Sequence, residues 1–323
     1  MSRHDALTPG ALTPGATTPG ALGGPLNPSH GEPPGQTDHP AAITRTGDDP
    51  CETGLPCIEA VHLYPTTMNT YGDRGNVAAI TKRAAWRGIP LRWHFVELGE
   101  AAPASADLVF IGGGQDRVQG AVAEDLGRRR DWLAAAAASG TVVFGVCAGL
   151  QLLGRRYVAA DGSELPGLGL FDLETLAAKP GEWRLIGNVV VEVATPAGPK
   201  LLAGFENHGG RTRLGPAAQP LGRVLLGRGN NGADGTEGVR QGTMLATYLH
   251  GPVLPKNAWL TDHLLTLALT HAGGDPAAVT PLDDSFELSA QAEAIARAEG
   301  DAQTARGVQE KLMAVARRLR RAI

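Results

Sequence analysis

A chain of 323 residues with 42% hydrophobic composition is long enough to bury a core, as one large domain or two modest ones. Its 29 Lys and Arg stand against 33 Asp and Glu, a net charge of -4, which excludes a global basic field for holding nucleic acid or an anionic membrane. Three cysteines cannot build a disulfide scaffold in a chain of this size, so a reducing, cytoplasmic compartment is expected.

The chain opens on "ALTPGALTPGATTPG", a threefold five-residue repeat ending in Thr-Pro-Gly, within a stretch dense in Pro and Gly. Such a composition cannot offset ordering by burial, so residues 1–56, which include Cys51 and Cys57, read as a flexible tail outside the fold. The stretch lacks the apolar segment of a secretory signal, and export by that route is not expected.

From there to about residue 275 the sequence reads as one domain. "IEAVHLYP" has strand composition, "GNVAAITKRAAWRGI" has apolar positions at helical spacing, and "LRWHFVEL" alternates as a strand. "ADLVFIGGG" is a buried strand running into three glycines; a helix over roughly 118–138 and the strand "TVVFGV" follow. The apolar run "WLAAAAASGTVVFGVCAGLQLLG" is broken by Ser139-Gly140 and changes from alanine-rich to β-branched residues, so it is helix, turn and strand, not a membrane span of about 20 residues. The alternation predicts an α/β fold, a mostly parallel sheet with helices on both faces. After about residue 165, "GLGLFDLETL", "RLIGNVVVEV", "GRVLLGRG" and "GTMLATYLHG" are short β segments without helices between them, expected as antiparallel additions to the same sheet layer. "NAWLTDHLLTLALTHAGG" is helical, and residues 276–323 read as an extension of one or two helices. Its final Arg317, Arg318, Arg320 and Arg321 are read as a solvated helix end favoured by the helix dipole, in preference to an anion contact.

"GVCAG" places Cys147 in a G-x-C-x-G spacing, the cysteine form of a nucleophile elbow: a strand turns sharply into a helix, and flanking glycines prevent clashes in the strained turn. A helix N-terminus favours the thiolate there, and the Ala148 N–H would point where an oxyanion develops. The Gly113 or Gly114 amide of "IGGGQD" is the candidate second donor. The competing reading is that Cys147 is a compact residue filling a tight corner. A base would decide between them. His4, His30 and His39 lie in the tail; His62, His94, His263 and His271 sit in strands or a helix without other site chemistry. His250, at a strand end before Gly-Pro, is the preferred base, and His208 in "GFENHGGRT" reads as a loop histidine fixed by hydrogen bonds.

Taken in order, "NTYGDRGN", "IGGGQDR", "CAGLQLLG", "DGSELPGLGL", "GFENHGGRT", "GRGNNG" and "TYLHGPVLPKN" resemble the class I glutamine amidotransferase superfamily, in its cobyric acid synthase-like branch. Within that branch the match is close to the amidotransferase subunits of lipid II isoglutaminyl synthases, and it covers roughly residues 58–275. The resemblance implies a flavodoxin-like fold with Cys147 as nucleophile and His250 as base, releasing ammonia from L-glutamine through a thioester. Arg184 falls where such subunits have an arginine for the substrate, and a guanidinium suits the α-carboxylate; the alternative is an exposed strand-end arginine. Gln151 matches the family's Cys-x-Gly-x-Gln and would help line the pocket. Many relatives carry His-x-Glu, whereas Gly251 and Pro252 follow His250 here, leaving a Cys/His dyad or an orienting group borrowed from elsewhere.

The usual phosphate loop needs a Gly-Lys dipeptide, and the chain contains none. No cofactor is therefore expected in this chain; the resemblance implies a heterodimer in which a Mur-ligase-type partner holds ATP and Mg and reaches lipid II. Three other readings stay open: an amidotransferase subunit for another, cobyric acid-type acceptor; a cysteine hydrolase on an α/β-hydrolase elbow, which the helix-free stretch after residue 165 disfavours; and a non-catalytic regulatory subunit of the same fold.

Overall fold

The computed structural model describes residues 50–321 apart from Gly54 and Ala160, so the Thr-Pro-Gly repeats lie outside the described residues. Order begins before residue 57: Pro50–Thr53 is a turn of 3₁₀ helix, and Cys51 and Cys57 are joined by a disulfide with Cα atoms 5.3 Å apart. This corrects both the tail boundary and the reading of these cysteines, because a local crosslink holds a segment that its composition would leave unordered.

The α/β portion follows the expected order. β1 (Ile58–Leu63) leads through a loop to α1 (Arg74–Ala85), then β2 (Leu91–Val96) and β3 (Leu108–Ile111). The single helix expected over 118–138 is two, α2 (Asp116–Arg128) and α3 (Arg130–Ser139). They meet at Arg129, whose guanidinium binds Asp125 at 2.7 Å and the carbonyl of Glu100 at the same distance. β4 (Val142–Val146), buried throughout, turns directly into the short α4 (Ala148–Leu153).

The β-rich stretch comprises β5 (Arg156–Val158), β6 (Glu164–Pro166), β7 (Leu173–Ala177), β8 (Leu185–Thr195), β9 (Gly198–His208), β10 (Gly210–Leu214), β11 (Gly222–Leu226), β12 (Thr236–Glu237), β13 (Val239–Gln241) and β14 (Met244–Thr247). Most of it does not extend the first sheet. Strands β10-β7-β5-β6 and β12-β11-β8-β9 form two separate four-stranded sheets, and only the last two strands join the main sheet, in the order β13-β14-β4-β3-β1-β2. There β14 runs parallel to β4 and the edge strand β13 antiparallel to β14. Hairpin alternation sets the partner within a pair, but only the packing of the long β8–β9 hairpin decides that it forms a layer of its own.

Helix α5 (Ala258–His271) and the single helix α6 (Ser285–Arg321) complete the chain. Arg83 on α1, 3% exposed, makes two 2.6 Å contacts to Asp262 on α5 and one to Asp284 just before α6, tying the three helices together. No helix among the described residues is long and apolar enough to cross a membrane. The parallel strands β1, β3, β4 and β14 all end on one edge, where β1 leaves toward β2 on one side and β3 lies on the other. Such a reversal of strand order opens a crevice at the carboxyl ends of the strands.

The β4–α4 corner allows no extra atom at Gly149: a Cβ built there would stand 2.5 Å from the Ile111 carbonyl oxygen, a backbone atom of β3. Gly149→Ala is expected to lower stability by about 1–3 kcal/mol, read as a lower thermal midpoint, whereas Gly120→Ala, with no atom within 4 Å of the added methyl, leaves it unchanged or raised.

Candidate active site

Cys147 sits at φ 50°, ψ -101°, a backbone state that L residues adopt rarely and at a cost of about 1–3 kcal/mol. Two backbone bonds hold it there. Its N–H donates to the Thr247 carbonyl at the end of β14 (2.8 Å), and its carbonyl accepts from the Gln151 N–H (3.1 Å). The corner closes because Gly145 faces Leu153 and Ala246 at near-contact distance and Gly149 lies against β3. Cys147 is the free cysteine among the described residues and lines a cavity of about 600 Å³ over the strand ends.

His250 lies three residues beyond β14 and is fully buried, with its backbone bridged to Phe205 of β9 through an N–H···O bond of 2.8 Å. Its Nδ1 is 3.9 Å from Oδ1 of Asp73, the buried residue that precedes α1. Burial alone would pull the imidazole down; the Asp73 carboxylate and the Cys147 sulfur beside it outweigh burial and push it up to about 9. The structure thus brings Cys147, His250 and Asp73 together from β4, the segment after β14 and the segment after β1. Asp73 stands inside the motif "NTYGDRGN" but was given no role from sequence. The usable signal was its position: an acidic residue between a parallel strand and its helix falls at the carboxyl edge of the sheet, beside whatever the other strand ends carry.

The glycines after β3 need a correction. The Gly113 N–H donates to Asp73 Oδ2 (2.5 Å), so it is committed to the acid and is not a spare oxyanion donor. A Cβ on Gly113 would stand 2.6 Å from His250 Cε1; the absent side chain makes room for the imidazole. Gly114 does line the cavity, and the helix that starts with Ala148 supplies the amide adjacent to the sulfur.

The far wall comes from the separate sheets. Arg184, exposed at the cavity mouth, donates from Nε to Asn207 Oδ1 (3.0 Å) and from Nη2 to the Asn207 carbonyl (3.1 Å). His208 is 2% exposed, stacked on Tyr248 with ring centroids 3.6 Å apart, and Nδ1 is 2.9 Å from the Gly210 carbonyl oxygen. Burial, with the positive charges of Arg211, His250 and Arg184, pulls it down to about 3, so it stays neutral; it is fixed by a hydrogen bond, but as the last residue of strand β9 and not in a loop. Gln151 lies on the floor between Gln119, which donates to its Oε1 at 3.2 Å, and the Tyr248 hydroxyl at 3.2 Å. The Tyr248 hydroxyl continues to Thr212 at 2.6 Å, and Thr212 to Thr175 at 2.7 Å.

Two buried glutamates, unread from sequence, brace the surroundings of the site: Glu237 holds the segment that leads to His250, and Glu206 holds the turn at residues 228–229. Glu237 accepts the Tyr248 N–H (2.7 Å) and the Thr247 hydroxyl (3.0 Å), and Glu206 accepts the N–H groups of Arg228 and Gly229, both at 2.8 Å. Burial pushes each carboxyl up to about 7.

The model of the CobB/CobQ-like glutamine amidotransferase domain matches residues 59–258. The chain is 38% identical over 240 residues to the lipid II isoglutaminyl synthase (glutamine-hydrolyzing) subunit GatD of Staphylococcus aureus (strain N315), covering 73% of this chain and 94% of that protein. It is 35% identical over 228 residues to the subunit of the same name from Streptococcus pneumoniae (strain ATCC BAA-255 / R6), covering 70% and 86%. A cobyric acid synthase of Methylorubrum populi is 37% identical over 165 residues, 49% of this chain but 31% of that protein. With the matched span holding Asp73, Cys147, Arg184 and His250 on one cavity or its wall, the chain belongs to the CobB/CobQ-like glutamine amidotransferase family.

Proposed function

We propose that this chain is the glutaminase subunit of a two-protein lipid II isoglutaminyl synthase. It would hydrolyse L-glutamine to glutamate and pass the ammonia to a Mur-ligase-type partner, which amidates the α-carboxyl of D-glutamate in the lipid II stem peptide. The observation that carries the reading is the strained Cys147 on an open cavity with His250 raised by Asp73 beside it; the coverage of the two GatD subunits supports the acceptor and the partner.

In this mechanism the α-carboxylate of glutamine pairs with the Arg184 guanidinium at the mouth, which places the side-chain carboxamide over the sulfur. With its value raised to about 9, His250 is an imidazolium at neutral pH, the partner against which the Cys147 sulfur attacks as thiolate. The thiolate attacks the carboxamide carbon, and the Ala148 N–H, with an amide from the Gly114 turn, stabilises the oxyanion. As the C–N bond breaks, His250 gives its proton to the leaving nitrogen and ammonia departs. His250, now neutral, takes a proton from water as that water attacks the thioester; glutamate leaves and the imidazolium is restored. Asp73 holds the charged ring. ATP and Mg act on the partner, where the acceptor carboxyl is activated.

Purified chain with its ligase should release glutamate from glutamine, and Cys147→Ala should abolish that release by at least about 10⁴-fold; equal silence of both with the ligase present would remove the enzyme reading. Arg184→Ala should raise the glutamine KM about 10- to 100-fold with little change in kcat, the worth of a charge-assisted bond pair, while unchanged KM would deny it the carboxylate. The pH profile follows from the direction of the His250 shift. Because the proton needed by the leaving nitrogen is lost above the raised value, glutamine hydrolysis should fall as pH rises through about 9. Asp73→Asn removes one of the charges that raise the ring, so the falling limb and the imidazole NMR titration should both move to lower pH; a stationary limb would show that Asp73 does not act on His250.

A further inference from the structure

Ammonia released into bulk water is protonated and stops being a nucleophile, so a subunit that supplies it to a second protein must have its cavity mouth covered by the acceptor. The lip of this mouth has an unusual composition. Trp183 is 88% exposed and Ile186 is 56% exposed, and between them stands Arg184, which lines the cavity. Neither apolar residue lines the cavity itself: Ile186 is the cross-strand partner of the lining residue Asn207, and Trp183 immediately precedes the lining residue Arg184, so each adjoins the mouth through its neighbour.

The segment that presents Trp183 is anchored. Its carbonyl accepts from Arg211 Nη2 at 2.7 Å, and the same guanidinium donates from Nη1 to the Gly209 carbonyl at 3.1 Å. The preceding turn is closed by the Glu182 N–H on the Lys179 carbonyl (2.9 Å) and by the Lys179 N–H on Glu182 Oε2 (3.1 Å). Beyond it lies a second, smaller cavity of about 390 Å³, lined by charged groups of both signs including Lys179, Glu182, Arg211, Arg213 and Asp234. An indole on a fixed backbone, left in water between a catalytic mouth and a ring of mixed charge, has the anatomy of an interface anchor: an aromatic centre and a polar rim.

We propose that Trp183 and Ile186 form the docking lip for the ammonia-accepting ligase, seating that protein directly over the mouth of the Cys147 cavity. This rests on the proposed function, since it takes the ligase as the occupant. A lid that folds onto bound glutamine would use the same indole differently, and the two are separable by whether glutamine binding changes in the absence of the ligase.

The test uses the full chain and the purified Mur-ligase-type partner, with Trp183→Ala, Trp183→Ala/Ile186→Ser and, as a control exposed elsewhere, Phe286→Ala, a residue 86% exposed on α6. Expected are glutamine kcat and KM within about twofold of wild type for each variant alone, and affinity for the ligase at least about tenfold lower for the two Trp183 variants but not for Phe286→Ala. In the coupled reaction with Trp183→Ala, glutamate release should exceed amide formation as ammonia escapes. Wild-type affinity in both Trp183 variants overturns the docking lip, as does a raised glutamine KM without ligase, which would make Trp183 a lid. A wild-type chain that hydrolyses glutamine but does not bind the ligase also overturns it while leaving glutaminase chemistry standing; a wild-type chain silent toward glutamine with the ligase present instead removes the function on which it rests.

Discussion

The backbone of Cys147 is the constraint around which the rest is arranged. A non-glycine residue at φ 50° persists only where its surroundings over-determine it. Here those surroundings are the Thr247 carbonyl of the neighbouring parallel strand, the first turn of α4, and two glycines that let α4 press against β3 and β14. The strain is coupled to the placement of β14, and β14 is also the strand that delivers His250. One local conformation therefore ties the position of the sulfur to that of the imidazole.

The second consequence is electrostatic. His250 is raised because an acid faces it, and the acid arrives at the point where the order of the parallel strands reverses. Gly113 serves both partners, giving its N–H to Asp73 and its missing side chain to the ring. Behind them, the motifs "GFENHGGRT" and "GRGNNG" work as scaffolding: Glu206 holds the 228–229 turn, Asn230 Nδ2 reaches the Gly238 carbonyl at 2.9 Å, and Glu237 carries the backbone of Tyr248. Polar residues that look like site chemistry in sequence spend their hydrogen bonds holding the wall of the cavity and the strand end.

The α/β half was legible because its signals are local. Strands are continuous β-branched runs, helices carry apolar residues at helical spacing, and the elbow is spelled by glycines two residues on either side of Cys147. The break at Arg129 was hidden because "GRRRDW" holds no proline and its one weak helix former, Gly127, is tolerated inside helices; beside a local i,i+4 ion pair with Asp125, it is the tertiary contacts of the Arg129 guanidinium to the Glu97 and Glu100 carbonyls that mark the joint. The two separate sheets were hidden for a like reason, since alternation identifies a strand but does not say which layer it enters. Cys51 and Cys57 were read by the composition around them, and the crosslink between them depends on a proximity that composition does not carry.

For the site, residue types and spacing by themselves singled out Cys147 as the candidate nucleophile and narrowed nine histidines to His250 and His208. Tertiary structure decided what acts on them. Asp73 is 177 positions from His250 in the chain, and no periodicity links the two; they meet because parallel strands end on a common edge. The same holds for the committed Gly113 amide and for Trp183 at the mouth: a motif specifies local backbone and chemistry, whereas charge coupling, amide availability and exposure are properties of distance, which only the packed sheets define.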